Sequence, residues 1–291
     1  MNTNTINTIK TTTFAAAALL STNAFAHAAG PFAANSHWNG FQVNGASGVS
    51  SARLNVSNDS KTGTLVISGQ AVPVSIRCTT TGDVDLQGLG IPYAGVHASG
   101  MVAAQGGTFS LAATYTVSKV ETLRSGTGRL SLLRSYGADS DGSLNAPWSG
   151  SFVSTYGTTG RMAIERSQTG DFGGKLTFGE FQYAVVGTVN PLPNPNGDGT
   201  HEMAIIGENL DPRSIVPCFL SPCFKPGEVV PCFKPGDIAP CFEPSSLVSC
   251  FNAYGLLVPA ARTGGAVRLM GSYALSGIRG TVDTGKFQLG Q

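Results

Sequence analysis

The chain of 291 residues carries 18 basic and 17 acidic side chains, and charged residues make up only 12% of it. A charge so sparse and so evenly balanced excludes a protein that wraps nucleic acid, and points to no polyanionic, membrane-surface or acidic partner. The 38 glycines suit a β protein whose many turns need positive φ.

The first residues read as an address. Lys10 is the only charged side chain ahead of the apolar run Phe14–Leu20, and Ala24-Phe25-Ala26 supplies the small-x-small pattern that a signal peptidase accepts. Residues 1–26 are therefore expected to be a bacterial-type signal peptide, directing the remainder to the periplasm, the cell surface or the extracellular space. No stretch reaches the roughly 18 apolar residues of a transmembrane helix.

From Val43 to Val189 apolar and polar residues alternate in short runs bounded by Gly, Asn, Asp or Ser, the period of strands with one buried face. Val72, Val74, Ile76 and Cys78 fall on one side of such a run, so Cys78 is expected to point into the core. Phe109, Leu111, Ala113, Tyr115 and Val117 alternate likewise, as do Phe181, Tyr183 and Val185. Glycine-rich turns at short intervals favour hairpins over crossovers, hence an all-β fold, an antiparallel sandwich or a barrel-like domain.

At Asn190 the composition changes to Pro191-Leu-Pro-Asn-Pro-Asn-Gly-Asp-Gly-Thr200, whose prolines lack the donors of a central strand. Alternation returns after Asn252, with Val267, Leu269, Tyr273 and Leu275. The organisation expected is a β domain over 27–189, an insertion over 190–252 rich in Pro and Cys, and returning strands over 253–291 that complete the first sheet.

The insertion holds a repeat. Reading from Pro222 gives PCFKPGEVV, PCFKPGDIA, PCFEPSSLV and SCF, so Cys223, Cys232, Cys241 and Cys250 recur every nine residues, with an extra Cys218 ahead of them. Lys-Pro-Gly-Glu fits a type II turn, with Pro setting φ at the second position and Gly supplying positive φ at the third. A meander of tight hairpins, a small solenoid and a loosely ordered, disulfide-stapled arm all satisfy this pattern.

Six cysteines in an exported chain make pairing the default, so Cys78, Cys218, Cys223, Cys232, Cys241 and Cys250 are disulfide candidates. Phe219, Phe224, Phe233, Phe242 and Phe251, one after each insertion cysteine, are candidates for a partner-binding surface. The alternative is a soft-metal or redox site, with copper or zinc held by Cys218, Cys223, Cys232, Cys241, Cys250 and His27. Nine-residue spacing is too long for one turn to chelate with two cysteines, so such a site would join separate repeats. Placed at a mature N-terminus by cleavage after Ala26, His27 resembles, as a single residue, the copper-holding histidine brace of lytic polysaccharide monooxygenases. Cleavage after Ala28 would remove it.

Catalytic motifs are missing. His201-Glu202 opens like a zincin helix, but Ile205 stands where the second His belongs. No nucleophile elbow, dinucleotide fingerprint or P-loop occurs. Asp139-Ser-Asp141-Gly-Ser143-Leu-Asn145 and Asn194-Pro-Asn196-Gly-Asp198 lack the closing acidic residue of a calcium loop and read as polar turns. The expectation is an exported, non-catalytic structural or interaction module with no resident cofactor. Its partner would be a protein or another component of the cell envelope, and not nucleic acid.

Overall fold

The computed structural model describes residues 30–44, 48–105, 107–137, 144, 146–165, 171–193, 199–210, 248–259, 266–277 and 280–291. Within them the alternating runs become sixteen antiparallel strands and one 3₁₀ turn at Ile91–Tyr93, with no α-helix among the described residues. The first eight are β1 (His37–Asn44), β2 (Gly48–Val56), β3 (Thr62–Ile67), β4 (Gln70–Cys78), β5 (Asp83–Gly88), β6 (Val96–Gln105), β7 (Thr108–Val117) and β8 (Gly126–Ser135). Each pairs with its sequence neighbours, and β8 pairs back onto β1, which closes a barrel.

A second closed barrel follows: β9 (Trp148–Ser154), β10 (Thr159–Ile164), β11 (Phe172–Phe178), β12 (Phe181–Pro193), β13 (His201–Asn209), β14 (Val248–Val258), β15 (Arg268–Gly277) and β16 (Gly280–Gly290). Here β16 returns to pair with β9. Closure leaves neither sheet with an unpaired edge.

Local chemistry explains the meander. Between β3 and β4 the two turn residues Ser68 and Gly69 have φ of 50° and 76°, the mirror-image turn whose twist matches a two-residue hairpin. Between β2 and β3, Asp59 Oδ1 accepts hydrogen bonds at 2.9 Å from the backbone nitrogens of both Lys61 and Thr62. These bonds hold the Asp59 carboxyl below its ordinary range, because they favour the charged form.

Side chains fill both barrels. The first is mostly aliphatic, with Leu54, Leu65, Val72, Leu86, Leu111, Leu130 and Leu132 packed around Trp38, and burying each such group contributes about 1.5–3 kcal/mol. The second is aromatic: Phe152 stacks on Phe178 at 3.9 Å, and Phe251 lies nearly parallel to Tyr273 at 6.1 Å.

Several expectations change. One β domain completed by returning strands is replaced by two barrels, and the sequence passes from one to the other between Ser135 and Trp148 rather than leaving a domain at 190. Within the stretch 190–252, β12 continues through Pro193 with a register shift after Val189, β13 occupies His201–Asn209, and β14 opens at Val248. Pro191 and Pro193 are tolerated because they fall at the exposed end of β12, where a missing donor interrupts little. Residues 1–29 and 211–247, which include the expected signal peptide and most of the repeat, lie outside the described residues. Cys78 keeps the phase of Val72, Val74 and Ile76 but is exposed, because it ends β4 beyond the last buried layer.

Candidate functional site

Two features mark where this fold departs from a pair of plain barrels: the seam between them and the roots of the repeat segment. The seam begins in the sequence. In β12, Tyr183, Val185 and Val189 fill the second barrel while Val186 and Thr188 are also buried, and in β13 Met203 and Ile205 alternate with buried Ala204 and Ile206. Such strands are covered on both faces and lose the alternation of a half-exposed strand. On the first barrel, Phe41 of β1 and Leu133 of β8 likewise point away from its interior. Phe41, Leu133, Val186, Ala204 and Ile206 form the apolar contact between barrels.

A buried polar network crosses this contact. Arg129 on β8 and Glu208 on β13 form an ion pair, with Arg129 Nη2 donating to Glu208 Oε2, and Ser131 Oγ donating to Glu208 Oε1 at 2.7 Å. Glu208 is 2% exposed, and burial pushes its carboxyl above the ordinary range although Arg129 and Ser131 oppose the shift. A second carboxylate, Asp171, accepts from the backbone nitrogens of Tyr136 at 3.1 Å and Gly137 at 2.8 Å, and from the hydroxyls of Ser135 and Thr188. It therefore ties the end of β8 to β12. The two carboxylates thus hold strands of the first barrel to strands of the second.

The repeat segment is rooted beside that network. Glu208 and Cys250 are direct partners in the β13–β14 ladder, and the chain leaves after Leu210 and re-enters at Val248. Both roots thus stand on neighbouring strands at one end of the second barrel, and the ladder between β13 and β14 runs on from Glu208–Cys250 to His201–Leu257. Cys250 is buried, with Sγ 3.8 Å from Glu208 Oε2.

Of the residues expected to form a site, His27, Cys218, Cys223, Cys232, Cys241, Phe219, Phe224, Phe233 and Phe242 lie outside the described residues. Cys78 is a free thiol on the first barrel. Phe251 is corrected from surface to core: it is 1% exposed and packs among Phe178, Tyr183 and Tyr273, because strand pairing carries it to the inner face next to Cys250. His201 lies on β13 with Nδ1 2.9 Å from the Asn190 carbonyl oxygen, a contact that ties two adjacent strands. Among the described residues no group of three or more His, Cys, Asp or Glu side chains is placed to hold a metal ion. Asp139–Ser143 and Asn194–Asp198 lie outside the described residues.

Sequence reasoning missed Arg129, Glu208 and Asp171. A signal was present for one of them: Glu208 ends the apolar run Met203-Ala-Ile-Ile-Gly207, where an isolated charge needs a buried partner. Comparison with protein-family models, curated proteins and solved structures finds no match in any of the three.

Proposed function

We propose that this chain is an exported, non-catalytic recognition protein of the periplasm, cell surface or extracellular space. In this reading the two-barrel body is a scaffold, and the disulfide-stapled repeat arm, with Phe219, Phe224, Phe233 and Phe242, meets a protein or another envelope component. The observation that carries the reading is the rooting of the arm: the chain departs from β13 and returns on β14 directly beside it, within a barrel that β9 and β16 close elsewhere. Long excursions between paired strands cost little, because loop-closure entropy grows only logarithmically with length. Function also concentrates on loops held by a rigid scaffold.

Replacing 211–247 by a two-residue Asn-Gly turn tests this. The shortened protein is expected to keep the far-ultraviolet spectrum and melting temperature of the parent while losing its co-sedimentation with isolated cell envelopes. An unfolded product, or co-sedimentation undiminished by the deletion, would overturn the proposal.

A further inference from the structure

The outer wall of the second barrel carries a furrow of about 780 Å³ across β10, β9, β16 and β15. Strand register fixes its layout. One cross-strand row runs Arg161, Ser151, Gln288, Met270, and the next runs Ala163, Ser149, Gly290, Arg268. All alternate with the inward-facing Met162, Phe152, Leu289 and Leu269, so the rows face outward. Small side chains in the middle make the furrow, and an arginine stands at each of two opposite corners. The floor is thin for a steric reason: a Cβ on Gly150 would meet the Gln288 carbonyl oxygen at 1.8 Å, so glycine alone allows β9 this approach to β16.

The face is positive although the whole chain is nearly neutral. A neighbouring row adds exposed Lys286 between Ser272 and Val153, and these three rows contain no Asp or Glu. The chain's acidic charge is partly spent elsewhere: Glu208 and Asp171 are buried in the seam, and Asp283 accepts from Ser154 and Tyr273. Glu165 follows β10 just past Ala163 and marks the border of the positive area. Arg161 and Arg268 are exposed, and no ion pair among the described residues includes either.

We propose that this furrow binds an acidic polysaccharide, with the guanidinium groups of Arg161 and Arg268 gripping two carboxylate or sulfate groups on one extended chain. Three strand intervals separate the arginines, roughly 15 Å along the wall at about 4.8 Å per interval. That separation suits charges repeated along a polymer better than one small anion, which needs converging donors. Each guanidinium offers a planar fork to one acidic group. Between them Ser149, Ser151 and Gln288 present hydroxyl and amide groups to sugar hydroxyls. An acidic peptide fits less well, because the closed barrel has no free strand edge for backbone pairing. No aromatic side chain lines the furrow to stack a nucleobase.

Titration of the full chain with polygalacturonate oligosaccharides, neutral dextran and poly-glutamate of matched charge tests this. Polygalacturonate is expected to bind at low salt and weaken as salt rises, while dextran does not bind. Arg161→Ala and Arg268→Ala should each weaken binding about tenfold and the double variant about a hundredfold, the size expected for lost charge-assisted hydrogen bonds. Arg53→Ala on the first barrel should change nothing, and Ser151→Trp, which fills the furrow without altering charge, should abolish binding. Melting curves matching the parent confirm that the variants fold; the conservative Arg161→Lys/Arg268→Lys pair, expected to bind with intermediate affinity, decides the matter should the alanine pair melt early. Absence of polygalacturonate binding, or binding unchanged by loss of both arginines, overturns the proposal. Equal affinity for poly-glutamate or dextran overturns it too, by removing the preference for an acidic sugar.

Discussion

Cys250, the last cysteine of the nine-residue series, stands opposite Glu208 in the β13–β14 ladder, with its sulfur 3.8 Å from the carboxylate oxygen that also takes the Arg129 guanidinium. The root of the repeat segment therefore touches the same buried charge that joins the barrels.

Breaking the ion pair should cost more than replacing it. Arg129→Met alone leaves the buried Glu208 carboxylate without its counter-ion, a loss of about 3–5 kcal/mol, whereas Arg129→Met with Glu208→Leu should come close to the parent. Denaturant titration of the three proteins checks this, and a double variant as weak as the single one would contradict it.

The same pair sets a pH dependence. Burial raises the Glu208 carboxyl above its unfolded value, so its contribution to stability is full below the unfolded value of about 4.5 and is lost as pH rises through the raised folded value. The gap in melting temperature between the parent and Glu208→Gln should accordingly be widest in acid and narrow towards neutrality. A gap that widens with rising pH would show that the carboxyl is held low instead.

Phe251→Ala separates a core role from a surface one. The ring is enclosed by Tyr183, Phe178 and Tyr273, and truncating a buried Phe costs about 3–5 kcal/mol. At roughly 2–4 °C per kcal/mol for a body of this size, the melting temperature should fall by about 6–20 °C. A shift under 2 °C would return Phe251 to the surface.

The period-2 runs of β4, β7 and β15 were legible in the sequence because each has one face in a barrel and one in solvent. β12 and β13 were not: Val185-Val186 and Ala204-Ile-Ile206 are apolar on successive positions, since the second barrel takes one face and the first barrel the other. Proline content then placed a boundary at Asn190, although Pro191 and Pro193 only fray the end of a strand. Cys78 shows the reverse error, for its phase was right but its depth was not, and periodicity carries no information about where a strand leaves the core. Arg161 and Arg268 lie 107 positions apart in sequence, and only the closure of β16 onto β9 brings them to one wall.

Cys78 should be a slow nucleophile despite its exposure. Partial burial of its sulfur, and the nearby negative charge of Asp83, both push the thiol above its ordinary 9.0, and only the thiolate reacts. Alkylation followed by mass spectrometry at pH 8 should be severalfold faster in the unfolded chain. Asp83→Asn should accelerate the folded protein by less than unfolding does, because burial is the larger cause. No acceleration in either case would exclude both effects.

The final prediction concerns the count of thiols. With Cys78 free, five cysteines remain from Cys218 to Cys250, and an odd number cannot all pair within one chain. If the arm is stapled, denatured protein from the envelope fraction should show two free thiols per chain, Cys78 and one other, or one free thiol in a covalent dimer that reductant separates. Each staple should contribute about 2–4 kcal/mol, chiefly by restricting the unfolded arm, since its prolines weaken any ladder. Reduction should therefore open 211–247 to a protease of broad specificity while the barrels resist, because locally opened segments are cut first. Lys225 and Lys234 each precede Pro and make trypsin a poor probe. Six free thiols, or cleavage equally fast with and without reductant, would show that cross-links do not order the arm.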